Sequence, residues 1–373
     1  MKRLVSFLIV LLLVPGLALA EFSESSAVYD PALAQWALQI AELCSTPFMQ
    51  EGVLKLDDYQ KIGEYNYVRD AGDTRHIAAY TLYDKPLEDG GTAVIIAVRG
   101  TGDGEWPLNL ELMPSGNYEL DYAENFFLAA EDILTTHAEY LDGLTEPQFL
   151  LTGHSRGAAV ANILGAKLSD RFGPENVFCY TFATPRTVRG EYPAYDNIFN
   201  VINPTDVVTY LPFPQWGFER YGVDLVLPID TADEALIDEA KRAYDARSDK
   251  YGPFAVPEDG SASTLAIVQA MADLVPDLSV DFSMRHALAH PGPAQEDEDG
   301  MTAVEFLDLL LEGGLYANGQ PTDIMVRLSQ AENDFTPLLS GLQTLPEMTD
   351  ARAALMAAHM PGIYGAWMTA ALE

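Results

Sequence analysis

Gly153-His154-Ser155-Arg156-Gly157 sets a serine between two glycines, with the β-prone run 148–152 before it and a run of good helix formers, 158–168, after it. A serine at such a strand-to-helix junction is a nucleophile elbow. The backbone there is strained, and a Cβ on either flank would crowd the strand or the helix. The helix start adds amide N–H groups that no helical carbonyl satisfies, and these can stabilise an oxyanion growing beside Ser155. The chemistry indicated is attack of a serine oxygen on a carbonyl carbon.

A serine hydroxyl is too weak an acid to attack unaided, so it needs a histidine base, itself held by a carboxylate. On elbows of this kind the partners follow in the order Ser, Asp or Glu, His. Of six histidines, His76, His137 and His154 come too early, which leaves His286, His290 and His359. His154 adjoins the nucleophile, but neighbouring side chains in the turn diverge, so packing is its expected role. Asp206 is the expected acid, because Pro204-Thr205 separates it by one short turn from the β-prone run 198–203. Asp196 precedes that run and Asp224 lies well beyond the turn.

The elements that must position these groups are legible in outline. Asp30-Pro31 reads as the cap and first residue of a helix reaching about Cys44. Residues 65–83 alternate loosely, as a β-meander would. Residues 93–98 form a continuous apolar run of the kind buried on both faces of an α/β sheet. The polar, glycine-rich loop 99–106 then follows at the carboxyl end of that strand, where ligand sites form in open α/β sheets. Residues 123–141 carry a helical apolar stripe that includes His137, which reads as a core-edge histidine. Runs 177–183 and 198–203 are two more buried-type strands. The expected fold is therefore α/β, a mainly parallel sheet flanked by helices.

From Pro228 the pattern changes. Residues 232–247 and 264–274 read as amphipathic helices separated by the breaker-rich loop 248–260, a helical insertion over about 228–283. A lid over the site and an ordinary structural excursion both fit such an insertion. Glu296-Asp297-Glu298-Asp299 is acidic, but a calcium-loop template anchored on Gly300 would put Gln295 and Phe306 at its first and last ligand positions, so it fails. Residues 301–373 look helical and carry no chemical motif.

Composition bounds the class. Residues 1–20 combine Lys2-Arg3, an apolar run from Leu4 to Val14 and a small-residue site at Ala18-Leu19-Ala20, the plan of a cleaved secretory signal. The expected organisation is thus a signal at 1–20, a catalytic domain at 21–290 and a helical extension at 291–373. Losing Lys2 and Arg3 moves the formal charge from −35 to −37, which disfavours nucleic acid and anionic membranes as partners. Cys44 and Cys179 are too few for a disulfide framework, and Cys179 sits in an apolar run, so a buried free thiol is expected there, with a bridge to Cys44 the alternative that export leaves open.

Three motifs in order resemble the class 3 (fungal-type) lipases and their bacterial relatives. They are Arg99-Gly100-Thr101 with Trp106 and Asn109; Gly153 to Ala159; and Asn203-Pro204-Thr205-Asp206-Val207-Val208 with Leu211-Pro212 and Gly217-Phe218. The resemblance is clear over 92–222 and looser over 30–290. It implies an α/β-hydrolase fold acting on acyl esters without metal or organic cofactor, with Ser155 as nucleophile and Asp206 as the orienting acid. It also implies an oxyanion hole from Thr101 and the backbone N–H of Arg156, and a base at His286 with His290 as the alternative. His359, in the helical tail, is the outsider. This chain departs from the family in having Asp121-Tyr122-Ala123-Glu124-Asn125-Phe126 where His-x-Gly-Phe is usual, and Ala158 where glycine is frequent. The Arg156 side chain could hold a substrate carboxylate or phosphate, or form a surface salt bridge.

These readings imply an exported hydrolase of lipid esters in transient contact with a lipid interface, with a phospholipase or a soluble-ester esterase as alternatives. A silent binding protein on the same fold is the rival from another class.

Overall fold

A computed structural model describes residues 25–68, 77–101, 122–212, 217–247 and 357–372, together with Phe22, Pro214, scattered positions from 254 to 268 and the short ladder 316–317 with 320–321. Asp30 caps helix α1 (Pro31–Leu43) by accepting from the N–H groups of Ala32 and Leu33, with Pro31 where no donor is lost. Strands β1 (Gln60–Tyr65), β2 (Tyr80–Pro86) and β3 (Thr92–Val98) follow, then helix α2 (Glu124–Thr136), strand β4 (Pro147–His154) and helix α3 (Arg156–Phe172). After these come β5 (Val177–Phe182), β6 (Val188–Arg189), β7 (Ile198–Ile202), β8 (Phe218–Glu219) and β9 (Val223–Val226). Helices α4 (Glu234–Ala246) and α5 (Pro361–Ala371) complete the described set of long elements.

Seven strands form one sheet in the order β1-β2-β3-β4-β5-β7-β9. The first two pairings are antiparallel and the remaining four parallel. This is the mainly parallel α/β sheet expected. Strands β3, β4 and β5 read as apolar runs because both faces are covered. Ile95, Leu150 and Tyr180 point to one face, with Leu33, Trp36 and Leu38 of α1. Val94, Ile96, Leu151 and Cys179 point to the other, with Phe126 of α2 and Val160, Ile163 and Leu164 of α3.

Two expectations about organisation change. Helix α4 matches the first helix expected of the insertion, but it buries Ala240 and Tyr244 against the core and packs along α5, so it is a layer of the main body. The boundary drawn at 290 is also displaced, because α5 belongs to the same core as α1, through Ile363, Tyr364, Ala366, Trp367 and Met368. The physical reason lies in the composition of α5. Pro-Gly-Ile-Tyr-Gly-Ala-Trp-Met-Thr-Ala-Ala is apolar but for Thr369 and the Tyr364 hydroxyl, and so apolar a helix must bury most of its surface. Cys44 and Cys179 are both free and buried.

Trp367 is almost fully buried and its ring stacks on that of Phe254 at 6.1 Å between centroids. Trp367→Ala is expected to cost about 3–5 kcal/mol, read as a lower urea midpoint. A loss below about 1 kcal/mol would mean that α5 is an appendage after all.

Candidate active site

The site begins with a backbone that only glycine permits. A Cβ on Gly153 would overlap the backbone of Gly157 and Ala158, and one on Gly157 would collide with the carbonyl oxygen of Val98 in β3. Both flanks of the elbow are thus closed, one by the helix and one by the neighbouring strand. Ser155 between them has φ 58° and ψ −129°, a strained conformation for a residue with a side chain. Its N–H donates to the carbonyl of Phe182 in β5 at 3.0 Å, which ties the turn to the sheet. The loop after β3 runs close by: a Cβ on Gly100 would stand 3.8 Å from that of Ser155, and Thr101 is next in the chain. Arg156 opens α3 directly after the serine.

Asp206 lies beyond β7, fully buried, and caps a short 3-10 turn over Val207–Tyr210. The turn that delivers it is fixed by Asn203, whose Oδ1 accepts from both the N–H and the hydroxyl of Thr205. Oδ1 of Asp206 accepts from Val208 N–H at 3.0 Å. Oδ2 takes two donors, the Tyr364 hydroxyl at 2.8 Å and the His359 ring nitrogen Nδ1 at 2.9 Å. The buried carboxylate thus meets three hydrogen-bond donors in place of water. Burial, and then the charge of Asp206, raise the Tyr364 hydroxyl well above its ordinary range, so it stays a donor.

The imidazole of His359 completes the arrangement. Its Nδ1 faces Asp206, and its Nε2 lies 2.9 Å from Ser155 Oγ, within the hydrogen-bond reach that a general base requires. With Nδ1 donating to the carboxylate, Nε2 is left as the acceptor for the serine proton. This geometry can deprotonate a hydroxyl, hold the resulting imidazolium against a buried negative charge and return the proton to a leaving group.

The expected base is therefore corrected. The ring hydrogen-bonded to Ser155 is that of His359, not His286 or its alternative His290, both of which lie outside the described residues. One serine proton can be given to one acceptor, and His359 holds that position. Ser155 and Asp206 are the two groups this ring joins. The Arg156 side chain is buried and donates through Nη2 to the Ile77 carbonyl at 3.1 Å, so it does not lie on the surface. His137 is the core-edge residue expected, with Nε2 2.8 Å from the Tyr80 hydroxyl. Asp224 pairs with Arg220 at 2.6 Å, and Asp196 is exposed.

Asn203, Tyr364 and the proximity of His154 to His359 were not legible as site features. The one sequence signal pointing to the tail was a histidine just before a mostly apolar helix that carries a tyrosine five residues on.

The sheet, the elbow after β4 and the acid after β7 have the arrangement of the α/β-hydrolase fold. Residues 107–216, the stretch holding Ser155 and Asp206, match the family model described as lipase (class 3), which covers the elbow motif and the Asn203-to-Val208 motif. Similar solved structures include the Rhizomucor miehei lipase propeptide complex, at 17% identity and a TM-score of 0.42 over 52% of this chain and 67% of that one. The lipase from Rhizopus microsporus var. chinensis is also similar, at 17% identity and 0.42 over 55% and 78%. Lipase II from Rhizopus niveus is another, at 17% identity and 0.39 over 53% and 82%.

The His154 ring is pushed down to about 3 from its usual 6.5, first by burial and then by the nearby His359. A base depressed in the folded chain leaves the unfolded chain binding more protons between the two values, so stability rises with pH across that window. The stability His154 gives at neutral pH is lost as pH falls below about 6.5, and His137, lowered by burial, acts with the same sign. The expected result is a thermal midpoint that drops from pH 7 to pH 5, and drops less in His154→Gln. Identical acid slopes in the two proteins would contradict it.

Proposed function

We propose that the protein is an exported serine hydrolase that cleaves carboxylic esters of lipids, or of similar apolar acyl groups, through an acyl-enzyme. The observation that carries this reading is a single imidazole within hydrogen-bond reach of both Ser155 Oγ and the buried Asp206 carboxylate. His359 Nε2 takes the proton of Ser155 as Oγ attacks the ester carbonyl, and Asp206 holds the ring in the tautomer that leaves Nε2 able to do so. The tetrahedral oxyanion is met by backbone donors at Thr101 and Arg156. Collapse breaks the bond to the alkoxy oxygen, which leaves as the alcohol with the proton from His359. Water then attacks the acyl carbon, giving its proton to His359, and the acid departs as Oγ recovers that proton.

A binding protein without chemistry would need no histidine against Ser155, and the presence of His359 there supports the enzyme over that rival. The class 3 lipase match supports an ester substrate with an apolar acyl part, and with it transient contact with a lipid interface. The leader-like residues 1–20 support export.

A fluorophosphonate probe is expected to label the wild-type chain and to leave Ser155→Ala unlabelled. Turnover of a nitrophenyl ester should fall by about four to six orders of magnitude in Ser155→Ala, and by about four in Asp206→Asn. Activity on emulsified triglyceride above that on short soluble esters is the expected preference, and the reverse would favour an esterase. A folded wild-type chain that takes no label would sink the hydrolase reading.

A further inference from the structure

The chain breaks its helical course between His359 and Pro361. Residues 357–359 are helical, Met360 is extended at φ −76° and ψ 143°, and α5 restarts at Pro361, which has no N–H to offer. The last carbonyls of such a turn lose their helical acceptor role and, when buried, must find donors elsewhere. Two side chains of the site supply them. Asn203 Nδ2 donates to the Ala358 carbonyl at 2.8 Å, and His154 Nε2 lies 2.7 Å from the His359 carbonyl oxygen. A carbonyl can only accept, so His154 carries its proton on Nε2.

We propose that His154 is a positioning residue. Its Nε2–H fixes the backbone of His359 while Asn203 fixes the carbonyl before it, so the elbow that presents the nucleophile also sets the place of the base. The serine and the residue beside it thus hold the two ends of one histidine, Ser155 at the ring and His154 at the main chain. The His154 ring reinforces this by contact, lying 4.9 Å from the ring of His359 and 6.1 Å, edge on, from that of Tyr364. Its neutrality fits the task. A cation there would oppose the imidazolium that His359 must become, and burial holds His154 uncharged through the working pH range.

The inference rests on the serine-hydrolase reading, and its test separates the two. His154→Leu and His154→Met remove the donor at similar size, whereas His154→Gln keeps an amide N–H. With a soluble nitrophenyl ester, the donor-less variants should lose about 10- to 100-fold in kcat with KM within about two-fold, since displacement of the base by a fraction of an ångström suffices. His154→Gln should recover to within about five-fold of wild type. In proton NMR, the downfield Nδ1–H resonance of His359 should persist in wild type and His154→Gln and broaden or vanish in the donor-less pair. That resonance can be read whether or not esters are turned over. A wild-type chain that neither hydrolyses nor labels therefore counts against the hydrolase reading, while the resonance still decides the role of His154. Donor-less variants within two-fold of wild type, or no better behaviour from His154→Gln, would overturn the proposal.

Discussion

A carboxylate with no exposed surface needs hydrogen-bond donors in place of water, and Asp206 finds them only with help from the far end of the chain. Val208 is local, but both donors to Oδ2, His359 and Tyr364, come from the last seventeen residues. The buried charge and the packing of α5 are therefore one problem. Trp367 and its neighbours bury the helix, the helix holds Tyr364, and the chain just before it delivers His359 to both the carboxylate and the serine. Breaking one partner of such a buried cluster is costly, because the charge that remains is left without its donors.

The elbow meets that cluster from the other side. Its strain is imposed by the sheet: β3 and α3 leave no room for a Cβ on Gly157 or Gly153, and the Phe182 carbonyl fixes Ser155 N–H. A rigid nucleophile is useful only if its base is equally fixed. The base belongs to a segment about two hundred residues later, and the bonds of Asn203 and His154 to consecutive carbonyls shorten that gap to two hydrogen bonds.

What could be read from the sequence follows from how local each signal is. Ser155 was legible because the glycines, the apolar run and the helix that define it lie within about twenty residues. Asp206 was legible because one short turn ties it to its strand. The sheet itself was legible from runs such as 93–98 and 177–183, which only two covered faces explain. His359 was not, because chain order alone leaves three candidates and nothing in local pattern measures reach. The tail was read as an extension since it carries no motif. Yet a helix without a polar face is itself a statement that it must be covered. His154 was assigned to packing on the argument that adjacent side chains diverge. It does diverge from Ser155, and in doing so it meets the backbone of the residue that Ser155 needs.

The chemistry depends on which imidazole serves Ser155, and the most direct test is to replace the three downstream histidines singly and follow ester turnover in folded protein. His359→Ala should fall to the residual level left by the oxyanion donors alone, about four orders of magnitude or more below wild type, while His286→Ala and His290→Ala keep activity within a few-fold. Full activity in His359→Ala, with collapse in either of the other two, would contradict the assignment of the base and the role given to the C-terminal helix.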